Sequence, residues 1–111
     1  MTFDLAAVGT QVHERAVEWA ALGLSWSTGP IHPNHGKAVA SAEFEGAGWI
    51  AQITIWETGE TELVTVRTGD RFGVNKRYDL ESVAKLSTVF SEFAALIRDG
   101  AVPEAAVTYT A

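Results

Sequence analysis

The sequence predicts an α+β domain: an N-terminal helix, a four- to five-stranded antiparallel meander and a C-terminal helix, with both helices on one sheet face. Three observations predict it. Apolar residues recur every three or four positions near each end of the chain. They alternate through the middle, and glycine-containing turns separate the alternating runs.

From Asp4 to Leu22, Leu5, Val8, Val12, Ala16, Trp19 and Leu22 describe one face of a helix, with Gln11, Glu14, Arg15 and Glu18 on the wet side. Gly9 weakens this helix by about 1 kcal/mol relative to alanine, and Gly23 suits its end. Leu24 to Ser27 alternates as a short strand. Thr28 to Lys37 holds Gly29, Pro30, Pro33, Asn34 and Gly36 and reads as a loop. Strands follow at Ala38–Glu45, Trp49–Trp56, Thr61–Arg67 and Phe72–Tyr78, separated by turns at Gly46–Gly48, Thr58-Gly59 and Gly69-Asp70. Asp79 is placed to cap the second helix, with Tyr78 and Val83 as a hydrophobic staple. Val83, Leu86, Phe90, Phe93 and Ile97 then form its core stripe, and Arg98 and Gly100 mark its end. Residues 1–100 are expected to form a single domain. Residues 101–111 read as a tail in which Val107–Thr110 is an optional edge strand.

Read as a two-residue loop, Thr58-Gly59 sets a register. Glu57 then faces Glu60, Ile55 faces Glu62, Ile53 faces Val64 and Ala51 faces Val66. These share the core face with Trp49, Phe44, Ala42, Ala40, Phe72 and Val74. The opposite face carries Ile50, Gln52, Thr54 and Trp56 across from Thr61, Leu63, Thr65 and Arg67. Two helices do not readily cover both sides of a small sheet, so this mixed face is expected to meet water or a partner. Scattered apolar groups on a solvated face are also ordinary. Trp26 and Trp56 are the tryptophans free to be partly exposed, and tryptophan is enriched at binding hot spots. Glu57, Glu60 and Glu62 are expected to converge at the hairpin tip, with Asp70 at the far end of the next strand pair. A tip that tolerates like charges suits a basic partner; it also suits plain solvation that blunts aggregation. The expected partner-binding set is therefore Trp26, Trp56, Glu57, Glu60, Glu62, Leu63 and Asp70.

Composition narrows the function. The 111 residues are 47% hydrophobic and 20% charged, the balance of a globular chain. The absence of cysteine excludes a disulfide framework, a thiolate zinc site and a cysteine nucleophile. Fourteen acids against eight bases give a net charge of −6, which disfavours nucleic acid and anionic membrane and favours a basic protein partner. No apolar run reaches membrane-spanning length. Met1-Thr2-Phe3-Asp4 lacks the positive start of a signal peptide, so the cytoplasm is the expected location. His32 and His35 share a loop, but a metal site needs three or four ligands. No serine sits in a nucleophile elbow. Gly69-Asp70-Arg71-Phe72-Gly73 lacks the strand-to-helix setting of a phosphate cradle. No catalytic residue, metal or cofactor is expected.

The stretch Trp49–Ile97 resembles small bacterial immunity proteins of polymorphic-toxin systems, the TriTu-like type. The likeness lies in Ile53-Thr54-Ile55-Trp56 running into Glu57-Thr58-Gly59-Glu60, in Leu63-Val64, in the Thr68-Gly69-Asp70 turn, and in Ser82, Leu86, Phe90 and Phe93. It covers about half the chain, with the loop Thr28–Lys37 and the segment after Gly100 outside it. The resemblance implies a cytoplasmic antitoxin that binds a cognate toxin domain, blocks it and needs no catalytic residue. The alternatives from other classes are a secretion or folding chaperone and a regulatory subunit that forms a homodimer through the open sheet face.

Overall fold

The computed structural model describes residues 3–111; Met1 and Thr2, on which the reading of the chain's start partly rests, lie outside the described residues. The chain runs α1 (Ala6–Glu14), α2 (Ala16–Ala21), β1 (Leu24–Thr28), β2 (His32–Asn34), β3 (Lys37–Gly46), β4 (Trp49–Trp56), β5 (Glu60–Arg67), β6 (Phe72–Asp79), a 3-10 turn (Val83–Lys85), α3 (Leu86–Asp99) and β7 (Val107–Thr110). The α+β class is as expected, but the sheet has seven antiparallel strands rather than four or five. Its order is β1-β3-β4-β5-β6-β7, with β2 beside β3. One additional strand comes from a segment read as a loop, and another is the optional edge strand at Val107–Thr110. The loop after Thr28 folds into β2 against Lys37–Val39. Residues 107–110 pair with Phe72–Asn75, so the optional edge strand forms with the expected bounds and closes the sheet edge. Gly73 makes that closure feasible: a side chain there would overlap the ring of Tyr109, its cross-strand partner.

The N-terminal helix is broken. It stops at Glu14, and Arg15 has φ −99° and ψ 15°. The break leaves the Val12 carbonyl exposed to new donors. The Arg15 amide donates to it at 3.2 Å, and the buried Trp19 indole N–H donates at 3.0 Å. Trp19 can therefore enter the core with its polar atom satisfied. Its ring meets Phe44, Phe90 and Phe93 with centroids 4.9, 6.0 and 5.8 Å away. Arg15, read as solvent-facing, instead bridges to α3. Its guanidinium stands 5.6 Å from the Phe90 centroid and donates to the Ser87 carbonyl and Ser91 hydroxyl.

Asp79 does not cap the second helix. It remains paired with Glu60 in the sheet, and the next amide, Leu80, donates to the Gly59 carbonyl at 2.9 Å. The chain bends at Glu81 and Ser82, and helical geometry begins only at Val83, after Ser82 with φ −156°. At the other end Gly100 adopts φ 69°, and the Gly100 and Ala101 amides close the helix onto Leu96 and Ala95.

Val8 and Val12 of α1, Trp19 of α2 and Leu86, Val89, Phe90, Phe93 and Ala94 of α3 share one buried cluster with Ala40, Ala42, Phe44, Ala51, Ile53, Ile55 and Leu63. One sheet face is thus covered by all three helices. Gly9 lies in α1 with open space where a Cβ would stand. Gly9→Ala is expected to stabilise the fold by about 1 kcal/mol, read as a higher urea midpoint with an unchanged slope.

Candidate functional site: the uncovered sheet face

The β3–β4 hairpin follows the expected register. Ala47 and Gly48 form a two-residue loop with φ 51° and 80°, the left-handed pair that matches strand twist. The β4–β5 hairpin does not. Its loop has three residues, Glu57-Thr58-Gly59, with the Gly59 amide on the Trp56 carbonyl at 2.9 Å and Gly59 at φ 90°. Ile55 consequently faces Thr61, Ile53 faces Leu63 and Ala51 faces Thr65. A one-residue slip turns every side chain of a strand over, so β5 is inverted relative to expectation. The β5–β6 connection compensates with four loop residues, Thr68–Arg71, in place of three. Val74 and Phe72 therefore still lie on the core side, packed with Trp49 and Leu96.

This inversion rearranges the expected site. Leu63 is completely buried in the core and offers nothing to a partner. Thr61 and Thr65 are buried beside it, their hydroxyls donating to the Gly59 and Val74 carbonyls at 3.2 and 2.6 Å. Val64 and Val66, read as core, move to the uncovered face with Glu60 and Glu62. Trp26 is partly exposed but stands on the helix side opposite Phe44, edge-on to His13 at 4.7 Å. Trp56 lies on the uncovered face opposite Val39 and is partly exposed.

Glu60 and Glu62 share one side of β5, whereas Glu57 does not join them and Asp70 lies at the far end, as expected. Glu57 sits in the loop, and its backbone is tied to Phe3 and Ala38. Glu60 pairs with Lys37 at 3.1 Å. That hydrogen bond and the adjacent ammonium charge hold the Glu60 carboxyl below its ordinary value. Glu62 stands 4.0 Å from Arg77. Asp70 lies beyond the far end of β5, paired with Arg67 at 2.6 Å. The Arg67 hydrogen bond, aided by the Phe72 amide, lowers the Asp70 pKa to about 2. Because the folded value is depressed, the ionised group's contribution to stability is present above the ordinary carboxylate range and fades as pH falls toward 2. An NMR titration is expected to give Asp70 a midpoint of about 2, and Arg67→Ala is expected to raise it toward the ordinary carboxylate value, short of a full return because the Phe72 amide still donates to the carboxylate.

The uncovered face has two ends. Cross-strand rows Glu45–Ile50–Val66–Gly73–Tyr109 and Glu43–Gln52–Val64–Asn75–Val107 make one end largely apolar, bordered on β3 by two exposed carboxylates. Ile50 is 51% exposed and Val107 66%. A shallow cavity of about 560 Å³ runs over Glu43, Glu45, Ile50, Gln52, Val64 and Val66. At the other end Trp56, Glu60, Glu62 and Arg77 line a smaller, polar depression of about 340 Å³. Among the described residues Glu43 and Glu45 have no ion-pair partner, in contrast to Glu60, Glu62 and Asp70.

On the helix side, Glu92 of α3 joins Lys76 at 2.9 Å and the Tyr78 hydroxyl at 2.6 Å. Burial and the Glu92 carboxylate push the Tyr78 phenol well above its ordinary value. This cluster fastens α3 to β6 and lies away from the uncovered face. His32 and His35 stay in the β2 hairpin, and no group of three potential metal ligands occurs among the described residues. No helix among them is long and apolar enough to cross a membrane.

The fold and face define a helix-covered antiparallel sheet with one side left open. The chain matches no protein family, curated protein or solved structure.

Proposed function

We propose that the chain is an immunity protein, which binds a cognate bacterial toxin domain in the cytoplasm and neutralises it by protein–protein contact. One observation carries this reading. The sheet buries one side under three helices and presents the other with a half-exposed isoleucine, two valines and a tyrosine beside acidic residues. An apolar patch rimmed by polar groups is the usual mark of a protein-binding surface. The net charge of −6 supports a toxin with a basic surface, since opposite fields speed association. The resemblance of Trp49–Ile97 to polymorphic-toxin immunity proteins supports the same class. On this reading the protein needs no catalytic group and no cofactor, and neither nucleic acid nor membrane is its partner.

The test is co-expression with the product of the adjacent gene. Restored growth, together with a complex that co-elutes on size exclusion, is the expected result. Undiminished toxicity with separate elution would refute the reading.

A further inference from the structure

We infer that the element of the toxin seated on this chain is a basic amphipathic helix, lying along Ile50, Val64 and Val66 with its cationic flank on Glu43 and Glu45. This rests on the toxin-binding reading above and names the chemistry of the contact.

The mode of contact follows from the sheet. Strands β3, β4 and β5 are each paired on both sides, so their backbone groups are spent within the sheet. A partner strand has nothing to pair with on this face, and recognition has to run through side chains. The breadth suits a helix. From β3 across β4 to β5 is two inter-strand spacings, about 10 Å, close to the diameter of one helix with its side chains. The cavity of about 560 Å³ covers this strip and extends beyond Glu43 and Glu45 onto Ser25 and Ser27 of β1, which leaves room for the flank of such a helix. The same three strands already receive helices on their other side, where Phe44, Ala51, Ile53 and Leu63 meet α2 and α3.

The charge follows from which acids remain unpaired. Glu60, Glu62 and Asp70 are engaged by Lys37, Arg77 and Arg67. Glu43 and Glu45 are exposed on β3, one strand over from Ile50 and Gln52, without an ion-pair partner among the described residues. A helix whose apolar stripe covers Ile50, Val64 and Val66 brings its flank over these two carboxylates. A lysine or arginine there gains their attraction; a glutamate is repelled. A second copy of this chain fits poorly by the same measure, because it would bring another surface of net charge −6 against the acidic border.

The probe is a synthetic Leu/Lys amphipathic helix of about 18 residues, some 27 Å long, titrated calorimetrically into the full chain, with a Leu/Glu helix of the same pattern as control. The Leu/Lys helix is expected to bind and the Leu/Glu helix not. Glu43→Lys/Glu45→Lys and, separately, Ile50→Ser are each expected to weaken binding about tenfold, while the charge-matched Glu14→Lys/Glu81→Lys stays within about twofold. Circular dichroism confirms that each variant is folded. Equal losses in the two double variants would reduce the effect to diffuse attraction and overturn the inference. So would a doubled mass on size exclusion that Ile50→Ser abolishes, which would give the face to a second copy. No toxin enters this experiment, so its failure leaves growth rescue by co-expression as a separate result.

Discussion

Trp19→Ala is expected to lower the unfolding free energy by about 4 kcal/mol, the largest effect of any single truncation in the chain. Trp19 is fully buried and meets three phenylalanines. Its removal opens a cavity between α2, α3 and β3. It also withdraws the indole donor from the Val12 carbonyl at the break between α1 and α2. A loss this large is a substantial part of the usual stability of a small domain. Urea unfolding followed by circular dichroism measures it. Trp19→Phe separates the two causes: it keeps an aromatic ring in the core but cannot donate, so it should fall between wild type and alanine. A Trp19→Ala variant as stable as wild type would remove the aromatic cluster from the centre of the fold.

The second large effect tests the orientation of β5. Leu63→Ala is expected to cost about 3 kcal/mol. Val64→Ala, on the uncovered face, is expected to stay within about 1 kcal/mol. Leu63 is entirely buried against Ile53, whereas Val64 is only partly covered. The reverse order of losses would mean that Thr58-Gly59 alone makes the turn and that Leu63 faces out. The comparison also bears on function, because the rows that join Ile50 to Val66 and Gln52 to Val64 exist only in the observed register.

The reason β5 is hard to read lies in its residues. Glu60, Glu62, Val64 and Val66 form one side; Thr61, Leu63, Thr65 and Arg67 form the other. Each side mixes polar and apolar groups, so period-two alternation does not say which is buried. β4 is unambiguous by contrast, with Trp49, Ala51, Ile53 and Ile55 on one side. The choice for β5 falls to the loop, and contacts distant in sequence hold the loop at three residues. The Phe3 amide donates to the Glu57 carbonyl, the Glu57 amide donates to the Ala38 carbonyl, and Gly59 sits so close to the Leu80 carbonyl that a side chain there would overlap it. Two buried threonines are tolerated because each hydroxyl reaches a carbonyl. The signal that could have exposed the slip was the conflict it created, since it set Glu62 beside Ile55 on the apolar face.

Other features were legible because their causes are local. The 3, 4, 3, 4 spacing of Val83–Ile97 depends only on helical geometry, and Leu86, Phe90 and Phe93 are indeed buried. The stop at Gly100 and the two-residue turn at Ala47-Gly48 are likewise written in a few adjacent residues. Asp79 misled for the opposite reason. A residue suited to cap a helix is held in the sheet by Glu60, nineteen positions earlier, and by the bond from Leu80 to Gly59.

The amino-acid sequence by itself determined the α+β class, the central strands, the core stripe of the last helix and the acidic balance, because periodicity, turn chemistry and charge act over short distances. Only the tertiary structure decided the break at Arg15, the orientation of β5, the recruitment of β2, whether the optional strand β7 docks, and which carboxylates stay unpaired. Those outcomes depend on hydrogen bonds and close approaches between segments far apart in the chain, and no short-range pattern encodes them.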